Sequence, residues 1–272
     1  SSDLLIMRNK LVKFSTALMV VVGLNLNASN LVSEPQCKEK GEEYIFAGGE
    51  CIQFYEAEGD KENELNIIVH GTWKAGSNTL GRYAPFADNL SMQTDITTVA
   101  VALPGYSDSS TNNFQALSHN GTENLAAQKP YIEFLSKLVT KLKNQYEVEK
   151  VNYIGHSAGA MMGSTLVGYT PKLITTLTSA GGVYDIHKKE KNSANLVSLV
   201  DYIDNVDKAT KFLLVYGTKD KISKPQVTKD FYKSLKDKGF DATLVEVADA
   251  QHLDLDMTDT SVEAIVDMLD SE

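Results

Sequence analysis

At 272 residues the chain is long enough for one large α/β domain or two small ones. Hydrophobic residues make up 42% of it and charged residues 23%, which is ordinary for a globular protein and excludes wholesale disorder. The formal net charge of −10 opposes binding to nucleic acid or to an anionic membrane surface, so neither is expected as a partner.

The first 29 residues have the parts of a secretory signal peptide. Basic residues follow Met7, an apolar run covers residues 14–24, and small residues around Ala28 are typical of a signal-peptide cleavage region. The run is shorter than the roughly 20 residues of a spanning helix, although a membrane anchor and a buried helix are alternative interpretations. We predict upstream residues and a signal in 1–29, and a secreted or periplasmic product without stable membrane insertion.

Both cysteines of the chain, Cys37 and Cys51, follow this segment closely. Two neighbouring cysteines in an exported chain favour a disulfide over a metal site. The glycines between them suit a hairpin that would bring them together. Closing a loop of this size would stabilise the fold by about 3 kcal/mol in the chain-entropy model.

Strand-like and helix-like runs alternate from residue 43 onward. The predicted strands are 44–46, 51–55, 65–69, 96–103, 151–154, 173–180, 212–216 and 242–247. Helical patterns follow 79–90, 131–142, the small residues from 158, 194–206, 225–238 and a last helix with a Thr260–Glu263 capping box. This alternation implies a mostly parallel sheet with helices on both faces. Without a repeat or a long linker, residues 30–272 are predicted to form one domain.

The segment Gly155-His-Ser-Ala-Gly159 joins a predicted strand to a predicted helix. In the G-x-S-x-G nucleophile elbow, a serine stands on a sharp, strained turn between a strand and a helix. Small residues are needed around it because larger side chains would collide with the neighbouring strand and helix. The pattern therefore predicts Ser157 as an exposed nucleophile, and an ordinary Gly-rich turn is the alternative.

A serine hydroxyl is a weak nucleophile and needs a base that is oriented by a third group. His252 follows the last strand, where a loop can return to the elbow, and is predicted as the base. The remaining histidines are expected elsewhere: His156 pointing away from the hydroxyl, His70 bracing its loop, and His119 and His187 in solvent.

The third group is predicted to be Asp220, which ends a strand in Gly-Thr-Lys-Asp. An inert carboxylate at a helix entry would look the same. Asp185, after the preceding strand, is the main rival, and Asp249 and Asp254 are weaker ones.

In this order of nucleophile, acid and base, the chain resembles the α/β-hydrolase family from about residue 65 to its C-terminus. The resemblance depends on the serine motif, Gly-Thr-Lys-Asp after a strand, the late His252 and a His-Gly loop after Val69. It implies the α/β-hydrolase fold, with about eight mostly parallel strands, helices on both faces and a small cap. By the same resemblance Ser157 attacks, His252 takes and returns the proton, and Asp220 holds the imidazole.

The resemblance also implies an oxyanion hole built from two backbone N–H groups. These would belong to Ala158, after the nucleophile, and to Thr72 in His-Gly-Thr, with Trp73 as the alternative to Thr72. Trp73, His70 and Tyr106 are candidates for the substrate pocket, and core packing is the alternative for Trp73. No metal-ligand cluster, phosphate loop or dinucleotide fingerprint is found in the sequence, so neither a metal nor a cofactor is expected.

We therefore predict an exported serine hydrolase of small-molecule carboxylic esters. A peptidase or an acyltransferase of the same fold is the alternative, and a non-catalytic binding protein on a hydrolase scaffold is the alternative of another class. Residues 183–210 offer one helix, 194–206, which can cover part of a cleft but cannot seal it. The polar loop 109–121 would form the opposite rim. Such an open cleft favours short or water-soluble esters, and nothing in the sequence indicates an oligomeric state.

Overall fold

The computed structural model describes residues 31–121 and 123–270. Its strands are β1 Tyr44–Ala47, β2 Glu50–Ala57, β3 Lys61–Val69, β4 Ile96–Val101, β5 Lys150–His156, β6 Thr176–Ala180, β7 Lys211–Gly217 and β8 Asp241–Val247. Its α-helices are α1 Glu34–Glu39, α2 Thr79–Thr94, α3 Lys129–Gln145, α4 Ala158–Tyr169, α5 Ile186–Lys189, α6 Pro225–Asp237 and α7 Asp259–Asp270. The predicted signal segment 1–29 lies outside the described residues, and it and the domain division stay predictions.

The eight strands form one sheet in the order β1-β2-β4-β3-β5-β6-β7-β8. The hairpin β1-β2 and the pairing of β2 with β4 are antiparallel, and the remaining neighbours pair in parallel. The predicted mostly parallel sheet is therefore confirmed. Because the parallel strands point the same way, their carboxyl ends meet at one edge of the sheet.

Both faces of the sheet are buried. Ile67 of β3 packs with the side chains of α3, α4 and α6 on one face, and Ile68 packs with those of α2 and α7 on the other. Continuous apolar runs are what a parallel strand covered on both sides requires. Among the residues described, no helix combines the length and apolarity needed to cross a membrane.

A disulfide joins Cys37 of α1 to Cys51 of β2, which confirms the predicted pairing. The turn of the β1-β2 hairpin is formed by Gly48 and Gly49, both with positive φ, as the glycines between the cysteines suggested. Cys37 itself precedes the hairpin. The bond therefore ties the first helix to the edge of the sheet.

The prediction of a helix at 194–206 is wrong. Two short 3₁₀ turns, Leu199–Asp201 and Ile203–Asn205, occupy the second half of the segment, and the small α5 precedes it. Leu196 forms an antiparallel bridge with Gln128, and the N–H of Val197 donates to the carbonyl oxygen of Ala127 at 2.8 Å. This pairing draws the backbone out of helical geometry. Helical spacing of apolar residues was the only signal for the helix, and tertiary pairing overrode it.

The last helix uses a different cap from the predicted one. It begins at Asp259, so Thr260 lies inside the first turn. The hydroxyl of Thr258, before the helix, accepts a hydrogen bond from the N–H of Ser261 at 3.3 Å. The predicted Thr260–Glu263 capping box is therefore wrong, because the helix starts earlier and Thr258 supplies the cap.

The polar loop 109–121 is anchored by the buried carboxylate of Glu50, at the start of β2. That carboxylate accepts hydrogen bonds from the Ser110 hydroxyl and from the backbone N–H groups of Asn112, Asn113 and Phe114. The loop brings Leu117 to the mouth of the cleft described below. Glu50 thus positions the rim that the sequence predicted.

Candidate active site

Ser157 stands alone in the turn between β5 and α4, with φ 55° and ψ −115°. A non-glycine residue in this region of backbone space is strained, and such strain persists only where the surroundings determine it. Here the N–H of Ser157 donates to the carbonyl oxygen of Ala180 at 2.9 Å, and its own carbonyl accepts from Met161 at 3.0 Å. The turn is held from both sides, and the hydroxyl is left free to face the cleft.

The two glycines of the motif are required by close backbone contacts. A Cβ on Gly155 would lie 2.7 Å from the backbone N of Ala160, and one on Gly159 would lie 2.1 Å from the carbonyl oxygen of Val69. Real Cβ atoms do not approach backbone atoms so closely. The spacing G-x-S-x-G therefore reflects the packing of α4 against β3 and β5, in agreement with the steric argument from the sequence.

Gly159→Ala should destabilise the protein, although the position is helical. Helix propensity alone would favour alanine by about 1 kcal/mol. The clash with Val69 opposes this, and overpacking of a filled site costs about 1–3 kcal/mol. We expect a net loss of about 1–2 kcal/mol in the free energy of unfolding, towards the upper end of this balance because the Cβ would meet rigid backbone at 2.1 Å, as measured by urea denaturation. An unchanged or higher stability would show that α4 can shift away from β3 without cost.

The three predicted groups meet in one hydrogen-bonded chain. His252 Nδ1 lies 2.7 Å from Asp220 Oδ2, and its Nε2 lies 2.8 Å from Ser157 Oγ. A carboxylate can only accept, so Nδ1 carries the proton and Nε2 accepts the hydrogen bond from the serine hydroxyl. This tautomer leaves Nε2 able to take the hydroxyl proton.

Asp220 is buried and rigidly held after β7. Its other oxygen, Oδ1, accepts the backbone N–H groups of Ile222 and Ser223 at 2.8 and 2.9 Å. The side chain of Asp220 has no exposed surface, while that of His252 is 11% exposed. The carboxylate is thus fixed behind the ring, and the ring reaches the cleft.

Gly181, after β6, is a residue of this site that the sequence reasoning missed. A Cβ at this position would lie 3.1 Å from two atoms of the His252 ring, and its φ of +63° also favours glycine. The sequence signal for this close approach is the pair Gly181-Gly182, which directly follows a predicted strand.

The other aspartates considered as the third catalytic group make different contacts. Asp185 accepts the N–H of Lys188 at the start of α5 and forms an ion pair with the Lys188 side chain. Asp249 is exposed and pairs with Lys219 at 2.7 Å. The side chain of Asp254 is not among those described.

His70 joins two loops and is unsuited to proton transfer. The N–H of Leu103 donates to its Nε2 at 3.0 Å, so Nδ1 carries the proton and donates to the carbonyl oxygen of Gly71 at 2.7 Å. Burial lowers the pKa of His70 to about 4, against a smaller raising effect of the Gly71 hydrogen bond. The ring stays neutral and braces the loop after β3.

The cleft beside Ser157 has a volume of about 300 Å³. Apart from Ser157 and His252, its main side chains come from the loop after β4, the helix α4 and the segments after β6 and β7: Leu117, Leu125, Met161, Val183, Ile186, Lys189 and Ile222. The lining is mostly apolar, with one cation, Lys189.

The predicted pocket residues Trp73, His70 and Tyr106 do not line this cleft. His70 and Tyr106 are fully buried, and the Tyr106 hydroxyl donates to the carbonyl oxygen of Trp73 at 2.8 Å. The Trp73 ring packs against both apolar clusters. The loop after β3 turns these side chains into the protein, so they form the layer behind the site rather than its wall.

Thr72 and Ala158, the predicted oxyanion donors, both line the cleft with Ser157. Gly71 brings the first loop close, since a Cβ there would lie 2.7 Å from Ser157 Cβ. Within the described part of the chain, neither backbone N–H donates to another protein atom. Two unused donors thus flank the serine. The N–H of Trp73 is likewise unused there, so the alternative stays open.

In residues 31–121 and 123–270, no three His, Cys, Asp or Glu side chains lie together in a way that could hold a metal ion.

A family model described as alpha/beta hydrolase fold matches residues 67–200. No curated protein matches the sequence. The solved structures that resemble this one include a predicted CIB-like hydrolase from Thermoplasma acidophilum, with a TM-score of 0.62 and 14% identity over 85% of this chain and 98% of that one.

Two further structures have the same fold. Est1E from Butyrivibrio proteoclasticus, with ferulic acid bound, has a TM-score of 0.60 and 16% identity, and covers 84% of this chain and 96% of its own. An enol-lactonase from Burkholderia xenovorans LB400 has a TM-score of 0.60 and 14% identity, over 84% and 100%. At these identities the likeness establishes the fold alone.

Proposed function

Since the chain belongs to the α/β-hydrolase family, we propose that it is an exported serine hydrolase that cleaves carboxylic esters through an acyl-enzyme. The observation that carries this proposal is the hydrogen-bonded chain Ser157–His252–Asp220 at the mouth of the cleft. Neighbouring structures named as an esterase and an enol-lactonase support an ester as the substrate.

In the proposed reaction, Ser157 Oγ attacks the ester carbonyl carbon while His252 Nε2 accepts the hydroxyl proton. Asp220 holds the Nδ1 proton and stabilises the imidazolium. The tetrahedral oxyanion is bound by the unused N–H groups of Ala158 and Thr72, an arrangement worth about 3–4 kcal/mol per donor. The imidazolium then protonates the alcohol oxygen as its bond to the acyl carbon breaks. A water molecule, which gives a proton to Nε2, next attacks the acyl carbon, and the imidazolium returns that proton to Ser157 Oγ as the bond to the serine breaks and the acid leaves.

Export is proposed on two observations. One is the sequence of residues 1–29, with its basic start, apolar run and small residues around Ala28. The other is the disulfide between Cys37 and Cys51, since disulfides persist mainly in oxidising compartments. Both favour a secreted or periplasmic protein.

A fluorophosphonate probe tests the proposal directly. We expect the folded wild-type protein to be labelled on Ser157, as located by mass spectrometry, and a heat-unfolded sample to remain unlabelled. A folded wild-type protein that does not react would favour the non-catalytic binding protein. A panel of esters and aminoacyl amides then separates the esterase from the peptidase, and added alcohols reveal acyl transfer.

We predict that rates are highest on esters of short acyl chains. The cleft of about 300 Å³ lies at the small end of the range for ligand pockets, and the short segment between β6 and β7 does not seal it. Each buried CH₂ contributes about 0.8 kcal/mol, but only where an apolar channel receives it. We expect kcat/KM to fall beyond short chains, with no rise in rate at the micelle concentration. A steady rise to long chains would contradict the prediction.

A further inference from the structure

The 3₁₀ turn His252–Met257 is held from behind by two side chains of other elements. Arg82 of α2 donates from Nη2 to the carbonyl oxygen of Leu253 at 2.8 Å. His156, at the end of β5, donates from Nε2 to the carbonyl oxygen of His252 itself at 2.7 Å. Neither contact belongs to the hydrogen-bonded chain of the proposed mechanism.

We propose that Arg82, His156 and Asp256 are positioning residues, which hold the backbone of His252 in place and put a balanced charge pair behind its ring. The inference rests on the proposed function, in which His252 is the general base. It adds three residues that the sequence reasoning did not assign to the reaction.

Asp256 supplies the negative member of the pair. It is 3% exposed, and within the described residues neither of its carboxylate oxygens accepts a hydrogen bond. Its Oδ1 lies 3.6 Å from Arg82 Nη2 and 3.9 Å from His156 Nδ1. A buried carboxylate is costly without a compensating charge, and Arg82 beside it supplies that charge.

The guanidinium of Arg82 is fixed by aromatic rings as well as by the carbonyl of Leu253. Its Cζ lies 5.1 Å from the ring centroid of Trp73 and 5.6 Å from that of Tyr83. Cation–π contacts of this length favour the charged group. This gives Trp73 a role behind the site, in place of the predicted role in the pocket.

His156 contributes geometry rather than charge. A carbonyl only accepts, so Nε2 carries the proton and Nδ1 is bare in the neutral ring. Burial lowers the pKa of His156, and the charge of Asp256 opposes that shift less strongly. The ring therefore stays neutral near pH 7, with its centroid 5.0 Å from that of His252. Among the described side chains near Asp256, Arg82 is thus the one that supplies a positive charge.

If Arg82 and Asp256 act as a charge pair, their removal should shift the pKa of His252 in opposite directions. A purely structural role would not cause such opposite shifts. Removal of the cation should stabilise the His252 imidazolium, and removal of the anion should destabilise it. Among the described side chains, the charged and titratable groups facing this region are Asp220 after β7, His156 of β5, His70 after β3, Arg82 and Tyr83 of α2, and Lys189 across the cleft.

The test is an NMR titration of the His252 ring, assigned with His252→Gln, in Arg82→Gln, Asp256→Asn and the double variant. We expect the pKa of His252 to rise in the first and to fall in the second by roughly 0.5–1 unit each. In the double variant it should return near the wild-type value. If Arg82→Gln does not fold, Asp256→Asn and the double variant carry the comparison. Equal pKa values in wild type and Asp256→Asn would overturn the charge pair.

Steady-state kinetics test whether Arg82 positions the general base His252. Arg82→Gln should lower kcat by roughly 10- to 100-fold at unchanged KM, because a small displacement of the base affects only the chemical step. Arg82→Lys keeps the positive charge but lacks the planar guanidinium with its several N–H donors, and it should recover part of the loss in kcat. Asp88→Asn is the control, because Asp88 lies on the same helix and its carboxylate, among the residues described, accepts a hydrogen bond from the Tyr55 hydroxyl and makes no contact with the turn at His252.

A change in KM alone, or equal activity of all variants, would contradict the positioning role. The titration does not require turnover, so a wild-type protein without esterase activity would reject the proposed function and leave the charge pair testable.

Discussion

Ser157→Ala should lower kcat by about 10⁵- to 10⁶-fold, and His252→Ala should do the same. The two groups act as one unit, since the hydroxyl becomes nucleophilic only as Nε2 takes its proton over the observed 2.8 Å. The double variant should therefore be no less active than either single one. Initial rates on the best ester of the panel, with circular dichroism to verify folding, measure this.

The control for the base is His187→Ala. His187 bonds to Asp201 and Ser193 at the exposed surface, and its removal should leave kcat unchanged. A folded His252→Ala protein that kept more than a small fraction of the activity would show that another group acts as the base. The remaining activity of the true knockouts should come from binding and the oxyanion donors alone.

Asp220→Asn should lower kcat by about 10⁴-fold while the fold is retained. The amide oxygen can still accept the N–H groups of Ile222 and Ser223, which hold the loop after β7. The amide NH₂, however, favours the wrong tautomer of His252, with the proton on Nε2, and this nitrogen then cannot accept the serine proton. The measurement is kcat at saturating ester, beside the melting temperature.

Asp185→Asn is the matched control for this prediction. Asp185 caps the short α5 and pairs with Lys188 at 3.1 Å, so its loss should change stability by less than about 1 kcal/mol and leave kcat near that of the wild type. An inactive Asp185→Asn with an active Asp220→Asn would reject the assignment. The acid would then belong to the loop after β6.

The sheet could be predicted because each strand carries its own signal. Apolar runs such as residues 65–69 and 212–216 cover both faces of a parallel strand, and glycines end them. The segment 194–206 carried an equally good helical pattern and became 3₁₀ turns. Its backbone pairs with Ala127 and Gln128, and no local rule indicates that contact.

Ser157 could be selected from the sequence because its chemistry depends on local context, whereas for the acid the sequence left Asp185 as a rival to Asp220. Ser157 needs glycines two positions away on each side, and His252 and Asp220 follow strands whose ends meet at one edge of the sheet. Trp73, His70 and Tyr106 lack such a constraint. They also follow strands at that edge, and whether they face the cleft depends on how their loops turn.

By itself, then, the sequence determined the alternation of strands and helices through hydrophobicity and the turn that presents Ser157 through sterics. It also determined the disulfide, because the chain has two cysteines and they lie close together in it. Only the tertiary structure decided that Asp220 rather than Asp185 bonds His252, which side chains line the cleft, and that Arg82 and Asp256 face each other behind it. Arg82 and Asp256 are 174 positions apart in the chain. Their approach depends on the packing of α2 against the segment after β8, which a one-dimensional pattern does not encode.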